Sequence, residues 1–169
     1  MSTDEPAPSP AGPVDPAAMR SVLGHFCTGV AVITSVDGHE PVGMTVQSLV
    51  SASLDPPLVL FCAQRRSTSW PRIARSGVFC ANILSADQQH LGLRFAKSGT
   101  PKFDGIAWRP ARSGAPVLDA ALAHVDCSIY AVHDAGDHFV VLGCVHDLAA
   151  NPGSGPLLFY RGAFGALAV

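Results

Sequence analysis

Charge is scarce in this chain. Asp, Glu, Lys and Arg make up 14% of its 169 residues, against roughly 25% in an average soluble protein. Eleven cations face thirteen anions, a net charge of −2, so the basic footprint that nucleic acid or an anionic membrane demands is missing. No stretch approaches the about 20 mostly apolar residues of a membrane span. The N-terminus carries no basic segment followed by an apolar core, so it does not read as a secretory signal. The five cysteines form no C-x-x-C pair and are odd in number. They read as small buried hydrophobes in a reducing cytosol, and a cytoplasmic protein is expected. P-loop, Rossmann glycine, G-x-S-x-G and H-E-x-x-H motifs are all absent. The histidines are scattered, so no metal site is predicted.

What is present is apolar: 48% hydrophobic residues in a chain the size of one domain. So few charges leave too little polar surface to cover a small monomer, and a buried interface between copies would relieve the shortage. Residues 1–16 hold five prolines and almost nothing large and apolar, which predicts a disordered tail. Residues 17–169 then form one folded domain. Asp15-Pro16 supply a cap and first turn for a helix over Ala17–His25, with Met19, Val22, Leu23 and Phe26 on one face. Strands are predicted at Val30–Thr34, Val42–Ser48, Val50–Leu54, Leu58–Ala63, Val78–Leu84, Ala121–His133, His138–Leu148 and Leu157–Arg161, and short helices at Ser67–Ser76 and Asp87–Phe95. Residues 97–119 form a Gly/Pro-rich excursion with one short strand at Ile106–Arg109. Seven or eight strands that do not alternate with helices favour a small antiparallel barrel over a doubly wound sheet.

Gly43-Met44-Thr45-Val46-Gln47-Ser48 is too polar for a plain core strand, and Ser51, Ser53, Ser67, Thr68 and Ser69 add hydroxyls at strand edges. Hydroxyls and free backbone N–H groups at a strand bend or helix start suit a phosphate and a planar heterocycle. Ordinary edge strands with one N-cap would carry the same residues.

Taken in order, GHFCTGVAVIT, PVGMTVQSLVSASLDPPLVLFC, STSWPRIARSGVFCANIL, DQQHLGLRFA, KFDGIAWRP, GAPVLDAALAHVDC, GDHFVVLGCV and PLLFYRG resemble the flavin reductase family with the FMN-binding split-barrel fold. SVLGHFCTGVAVIT and GDHFVVLG are most similar to an actinobacterial branch serving a hydroxylase of phenolic steroid-breakdown intermediates. The likeness runs from about residue 17 to 164. It implies a mainly β split barrel with a few short helices, and hydride transfer from NADH, or NADPH, to FMN or FAD. It further implies a homodimer that hands diffusible reduced flavin to a separate oxygenase acting on an aromatic ring.

The same resemblance assigns roles. Pro41, Val42, Gly43, Met44 and Thr45, with Gln47 and Ser48 beyond them, lie along the flavin ring, where backbone N–H groups would meet developing charge. Cys62, Ala63, Gln64, Arg65, Arg66, Ser67 and Thr68 hold the ribityl chain and phosphate, with Arg65 or Arg66 as counter-charge. Arg94 and Phe95 match an R-F pair near the phosphate or an adenine; read from the helix alone, Arg94 is a C-terminal cation opposing the dipole. His138, in the G-D-H motif, positions the nicotinamide; read locally, it is a hairpin histidine pairing with Asp137 or Asp134. Leu158, Phe159, Tyr160 and Arg161 match the pyridine-nucleotide contact, or simply complete the barrel. Two rival readings remain: a flavin carrier or redox sensor without turnover, and another split-barrel oxidoreductase of the pyridoxamine-phosphate-oxidase kind.

Overall fold

Asp15 and Pro16 start the first element. The Asp15 carboxylate accepts from the N–H groups of Ala17 and Ala18 at 3.2 and 3.3 Å, and proline's fixed φ suits the first helical turn. The resulting helix, α1 (Pro16–Leu23), stops at Gly24 and does not run on to His25. The structure, a computed structural model, describes residues 12–99, 101–151 and 155–167. Most of the predicted tail, residues 1–11, lies outside them.

Strands follow: β1 (Thr28–Gly29), β2 (Ala31–Asp37), β3 (Glu40–Val46), β4 (Val50–Leu54), β5 (Pro57–Gln64), β6 (Val78–Ile83), β7 (Trp108–Pro110), β8 (Pro116–Leu118), β9 (Ala123–Ala135), β10 (His138–Ala150), β11 (Leu158–Tyr160) and β12 (Ala163–Gly165). Two further helices, α2 (Trp70–Ser76) and α3 (Gln89–Ala96), interrupt them. Helix α2 begins three residues later than predicted, because the Ser67 hydroxyl accepts from the N–H of Ser69 and Trp70 and holds that stretch as a capping turn. A 3₁₀ turn (Ala86–Gln88) leads α3, closed by a capping box between Ser85 and Gln88.

Seven strands form one antiparallel sheet in the order β3-β2-β6-β9-β10-β5-β4. Laid flat, β3 and β5 would stand five strand spacings of about 4.8 Å apart. Instead the Ser48 hydroxyl, just past β3, accepts from Cys62 N in β5 at 2.8 Å. The sheet is therefore rolled up. It is not a closed ladder, since β3 and β4 remain its edges, and the predicted barrel is a split one. Register shifts in the β9–β10 pair after Leu142 and after Val145 mark bulges, which bend and twist a sheet locally.

Inside the roll, alternate residues of the strands (Ile33, Val42, Met44, Phe61, Phe79, Cys127 and Val141) pack with Trp70 and Ile73 of α2. Each fully buried large side chain contributes about 1.5–3 kcal/mol. The opposite face of β2 carries a second core of Val30, Val32, Leu84, Leu91, Phe95, Leu118 and Leu157 beneath α3. A small sheet, β1-β11-β12, lies beside it.

Three expectations are corrected. The excursion's strand starts at Trp108 rather than Ile106 and pairs with β8, which was not predicted. Strands β1 and β12 were also missed, so the described residues hold twelve strands rather than seven or eight. Elements of two or three residues are too short to show a period of two.

Candidate functional site

Strand β3 pairs on one side only, with β2, so its outer edge presents backbone groups outside the ladder. Its side chains divide between two cores. Val42, Met44 and Val46 point into the roll. On the other face Thr45 Oγ1 donates to Gly92 O of α3 at 2.7 Å, and a Cβ on Gly43 would stand 2.8 Å from the Phe95 ring. Pro41 is half-buried and Gln47 exposed. Val42, Met44, Ala63 and Phe95 are thus packed away from solvent, and only their backbone can face a ligand.

At the other side of the opening, β5 ends at Cys62, Ala63 and Gln64 and runs into the 65–69 loop. The Ser67 hydroxyl lies 3.6 Å from the Met44 sulfur, joining loop to β3. Thr68 is exposed, as is Arg66, whose guanidinium has no hydrogen bond or ion pair among the described residues. The Arg65 guanidinium instead pairs with Asp134 and donates from Nε to Gly136 O at 2.7 Å.

Lys102 opens the KFDGIAWRP segment, but the sequence assigns it no role. Its ammonium donates to Gly43 O (3.0 Å), Phe95 O (3.0 Å) and Ser69 Oγ (3.2 Å), tying β3, the end of α3 and the start of α2 together. All three partners are neutral, and burial pushes its pKa below the usual lysine value. A half-buried cation without a carboxylate partner leaves positive potential beside β3. Arg94 acts elsewhere. It donates to Pro101 O and Asp104 O at 2.9 and 2.6 Å, clamping the loop that carries Lys102.

His138 opens β10 directly opposite Gln64 of β5, so the G-D-H turn and the 64–68 loop share one end of the roll. Its Nδ1 lies 2.7 Å from Asp137 Oδ1. Hydrogen bonding to His138, then the charge on that ring, hold the Asp137 carboxyl below the usual range. With Nδ1 engaged, Nε2 is the free ring nitrogen.

Leu158, Phe159, Tyr160 and Arg161 stand on the other sheet. Leu158 and Phe159 are half-buried, Phe159 edge-on to Phe164, while exposed Tyr160 meets His25 edge-on at 6.4 Å. Arg161 turns the chain with φ +49°, an unusual conformation for a residue with a side chain. It lines a cleft of about 340 Å³ with Arg20, Ser21, Gly24 and Gly162. Nearby on β1, opposite Phe159, the Thr28 hydroxyl is buried with no hydrogen-bond partner among the described residues. Among the described residues no cluster of three or more His, Cys, Asp or Glu could hold a metal.

An antiparallel split barrel with an open strand edge, hydroxyl-bearing loops and unpaired cations defines a class of protein able to take an anionic planar ligand, and comparison with known proteins narrows it. Residues 23–168 match the family described as flavin reductase like domain, and the chain belongs to that family. It is 49% identical over 153 residues to the reductase subunit HsaB of a flavin-dependent monooxygenase from Mycobacterium tuberculosis (strain ATCC 25618 / H37Rv), covering 89% of this chain and 82% of that one. The crystal structure of nitrilotriacetate monooxygenase component B from Mycobacterium thermoresistibile superposes with a TM-score of 0.87 at 51% identity, over 90% of this chain and 86% of that one. The Streptomyces globisporus NADH:FAD oxidoreductase SgcE6, solved with NAD and FAD fragments, gives 0.85 at 38% identity, over 94% and 98% of the two chains.

Proposed function

We propose that this protein is an NAD(P)H-dependent flavin reductase, the reductase component of a two-component monooxygenase. Bound flavin would accept at N5 the hydride from C4 of the dihydronicotinamide. The observation that carries the reading is the meeting, at one end of the roll, of the open β3 edge, the 64–68 loop and His138. The residues fit a flavin. The free edge of β3 from Pro41 to Thr45, with Gln47 and Ser48, supplies backbone N–H donors where charge develops. Ser67, Thr68 and Arg66 form an anion-binding rim for the phosphate, and Lys102 adds an uncompensated positive charge. His138 orients the nicotinamide through Nε2, its ring fixed by Asp137. Tyr160 and Arg161, beside the orphan Thr28 hydroxyl, suit the remainder of the dinucleotide.

The acceptor is FMN or FAD and the donor NADH or NADPH; the likeness to SgcE6 supports flavin with NADH. The likeness to HsaB supports a separate oxygenase as recipient of the reduced flavin. That this oxygenase acts on an aromatic or steroid ring rests on the resemblance carried by SVLGHFCTGVAVIT and GDHFVVLG. We assign the folded unit to residues 17–169, following a proline-rich tail, and a cytoplasmic location. No helix among the described residues is long and apolar enough to cross a membrane. A homodimer is supported by the exposed apolar residues of α1 and the turn after it, where Met19, Val22, Leu23 and Phe26 are 55–76% exposed.

The test is a matrix of NADH and NADPH against FMN and FAD, followed at 340 nm with purified protein. Oxidation of the nucleotide that requires added flavin is the expected result. Inactivity in all four combinations would refute it, and tight flavin retention with no turnover would support a carrier or sensor.

A further inference from the structure

Among the described residues, all the groups that hold the Arg65 side chain belong to one hairpin. Its Nε donates to Gly136 O at 2.7 Å and its Nη2 pairs with Asp134. Its guanidinium carbon lies 4.3 Å from the centroid of the Phe139 ring. The Arg65 backbone N–H donates to Asp137 O at 3.0 Å. Asp134 stands at the end of β9, Gly136 and Asp137 form the turn, and Phe139 is the second residue of β10, so they bracket His138. Phe139 in turn meets the Trp70 ring at 6.0 Å, at the start of α2, where Ser67 caps the backbone.

A planar fork can satisfy a carbonyl, a carboxylate and a ring face together, which an ammonium cannot. Backbone pairs of His138 with Ala135 and with Gln64 carry the ladder up to the turn. The side chains of residues 133–137 are nevertheless exposed, and the Arg65 fork is the side-chain tie that reaches across them. An arginine tied in this way is poorly placed to neutralise a phosphate, whereas its neighbour Arg66 is untied.

We propose that Arg65 is a positioning residue, which fixes the hairpin bearing His138 against the 64–68 loop and so sets the nicotinamide subsite relative to the flavin phosphate subsite. This rests on the flavin reductase reading of the same site. Hydride transfer needs the donor carbon and the acceptor nitrogen held near contact distance, so a looser hairpin weakens productive binding of the nucleotide more than that of the flavin.

The experiment compares wild type with Arg65→Gln, Arg65→Lys and the exchanged pair Arg65→Asp with Asp134→Arg. Flavin and NADH are varied separately, and hydrogen exchange is followed at residues 134–139. Arg65→Gln should raise KM for NADH by about tenfold and KM for flavin by less than about twofold. Hairpin amides should exchange faster while those of β2 keep their rate, and Arg65→Lys or the exchanged pair should restore part of both effects. An equal or larger rise in flavin KM would overturn the proposal in favour of a phosphate ligand. Unchanged kinetics and exchange would overturn it as an idle surface pair. A wild type that oxidises no NADH with FMN or FAD would sink the reductase reading instead. Exchange alone would then judge the tie: faster exchange in Arg65→Gln upholds it, and unchanged exchange overturns it.

Discussion

At Gly43 an added methyl group would stand 2.8 Å from the Phe95 ring and 3.1 Å from Ile33 O, so alanine there must push α3 outward or bend β3. Overpacking of this kind costs about 1–3 kcal/mol. Gly43→Ala should therefore lower the denaturation midpoint, read by urea melts, and weaken flavin binding, because the displaced edge is the one proposed to face the ring. His138 gives a second prediction. His138→Ala should raise KM for NADH by about tenfold and leave KM for flavin within about twofold; an unchanged NADH KM would refute its role. The Asp137 carboxyl, depressed by His138, stays ionised down to acidic pH and loses its hold on the ring only as pH falls through that lowered range. Wild-type KM for NADH should thus climb at the acid end of its profile, whereas Asp137→Asn should be raised already at neutral pH and vary less there. At this scale the sequence was partly legible. G-D-H named His138 because motif and turn coincide. Lys102 was invisible, since its partners are carbonyl and hydroxyl oxygens brought together only by folding. Arg65 and Arg66 are neighbours of the same type, and nothing in their order says which one is tied down.

Among the elements, the β7–β8 hairpin is held by buried polar side chains of other strands: Thr34 donates to Pro116 O at 2.5 Å, and Asp126 accepts from Ser113 N at 2.9 Å. Asn82, fully buried on β6, donates from Nδ2 to Val32 O and Pro116 O, both at 3.2 Å, and accepts from Leu118 N at 2.7 Å. Asn82→Ala would take away the acceptor of that N–H and a donor from each carbonyl. The expected loss is about 2–3 kcal/mol, measured by thermal or chemical unfolding, with the fold of α1 and the β1-β11-β12 sheet retained. Helix α2 is anchored differently. Arg75 and Arg72 both reach Asp37 at the β2–β3 turn, and hydrogen bonds from Arg75 and then Arg72 hold the Asp37 carboxyl down to about 2. A depressed carboxyl stabilises above its ordinary value of 3.8 and loses that contribution as pH falls from there toward about 2. Asp37→Asn should therefore lower Tm at neutral pH, and the gap to wild type should narrow on acidification across that window. Longer strands and capped helices were legible because alternation and caps repeat over several residues. The β7–β8 pair was not, because side chains that hold it, Thr34 and Asn82, are far away in sequence.

For the whole molecule, the order of short motifs foretold the split barrel, although no single motif sufficed. Which strands would be its edges was hidden, because edge and interior strands here are both rich in apolar residues. The scarcity of charge carried a further signal that the isolated chain leaves unanswered. Helix α1 and the turn that follows it leave Val22 and Phe26 69% and 76% exposed, and no residue of α1 is buried against the other described residues. An amphipathic helix with its apolar face in water is unfavourable without a partner. In the homodimer proposed above, a second copy would cover this surface, since a chain with so few charges has least to lose by covering apolar surface mutually. Sedimentation velocity at micromolar concentration should give about twice the 17.5 kDa chain mass. Two carboxylates placed on that surface, Val22→Asp with Phe26→Asp, should weaken association at least about thirtyfold while leaving the far-ultraviolet circular dichroism of the barrel unchanged. A wild type that sediments as a monomer, or a double variant that stays dimeric, would mean that α1 is not the contact.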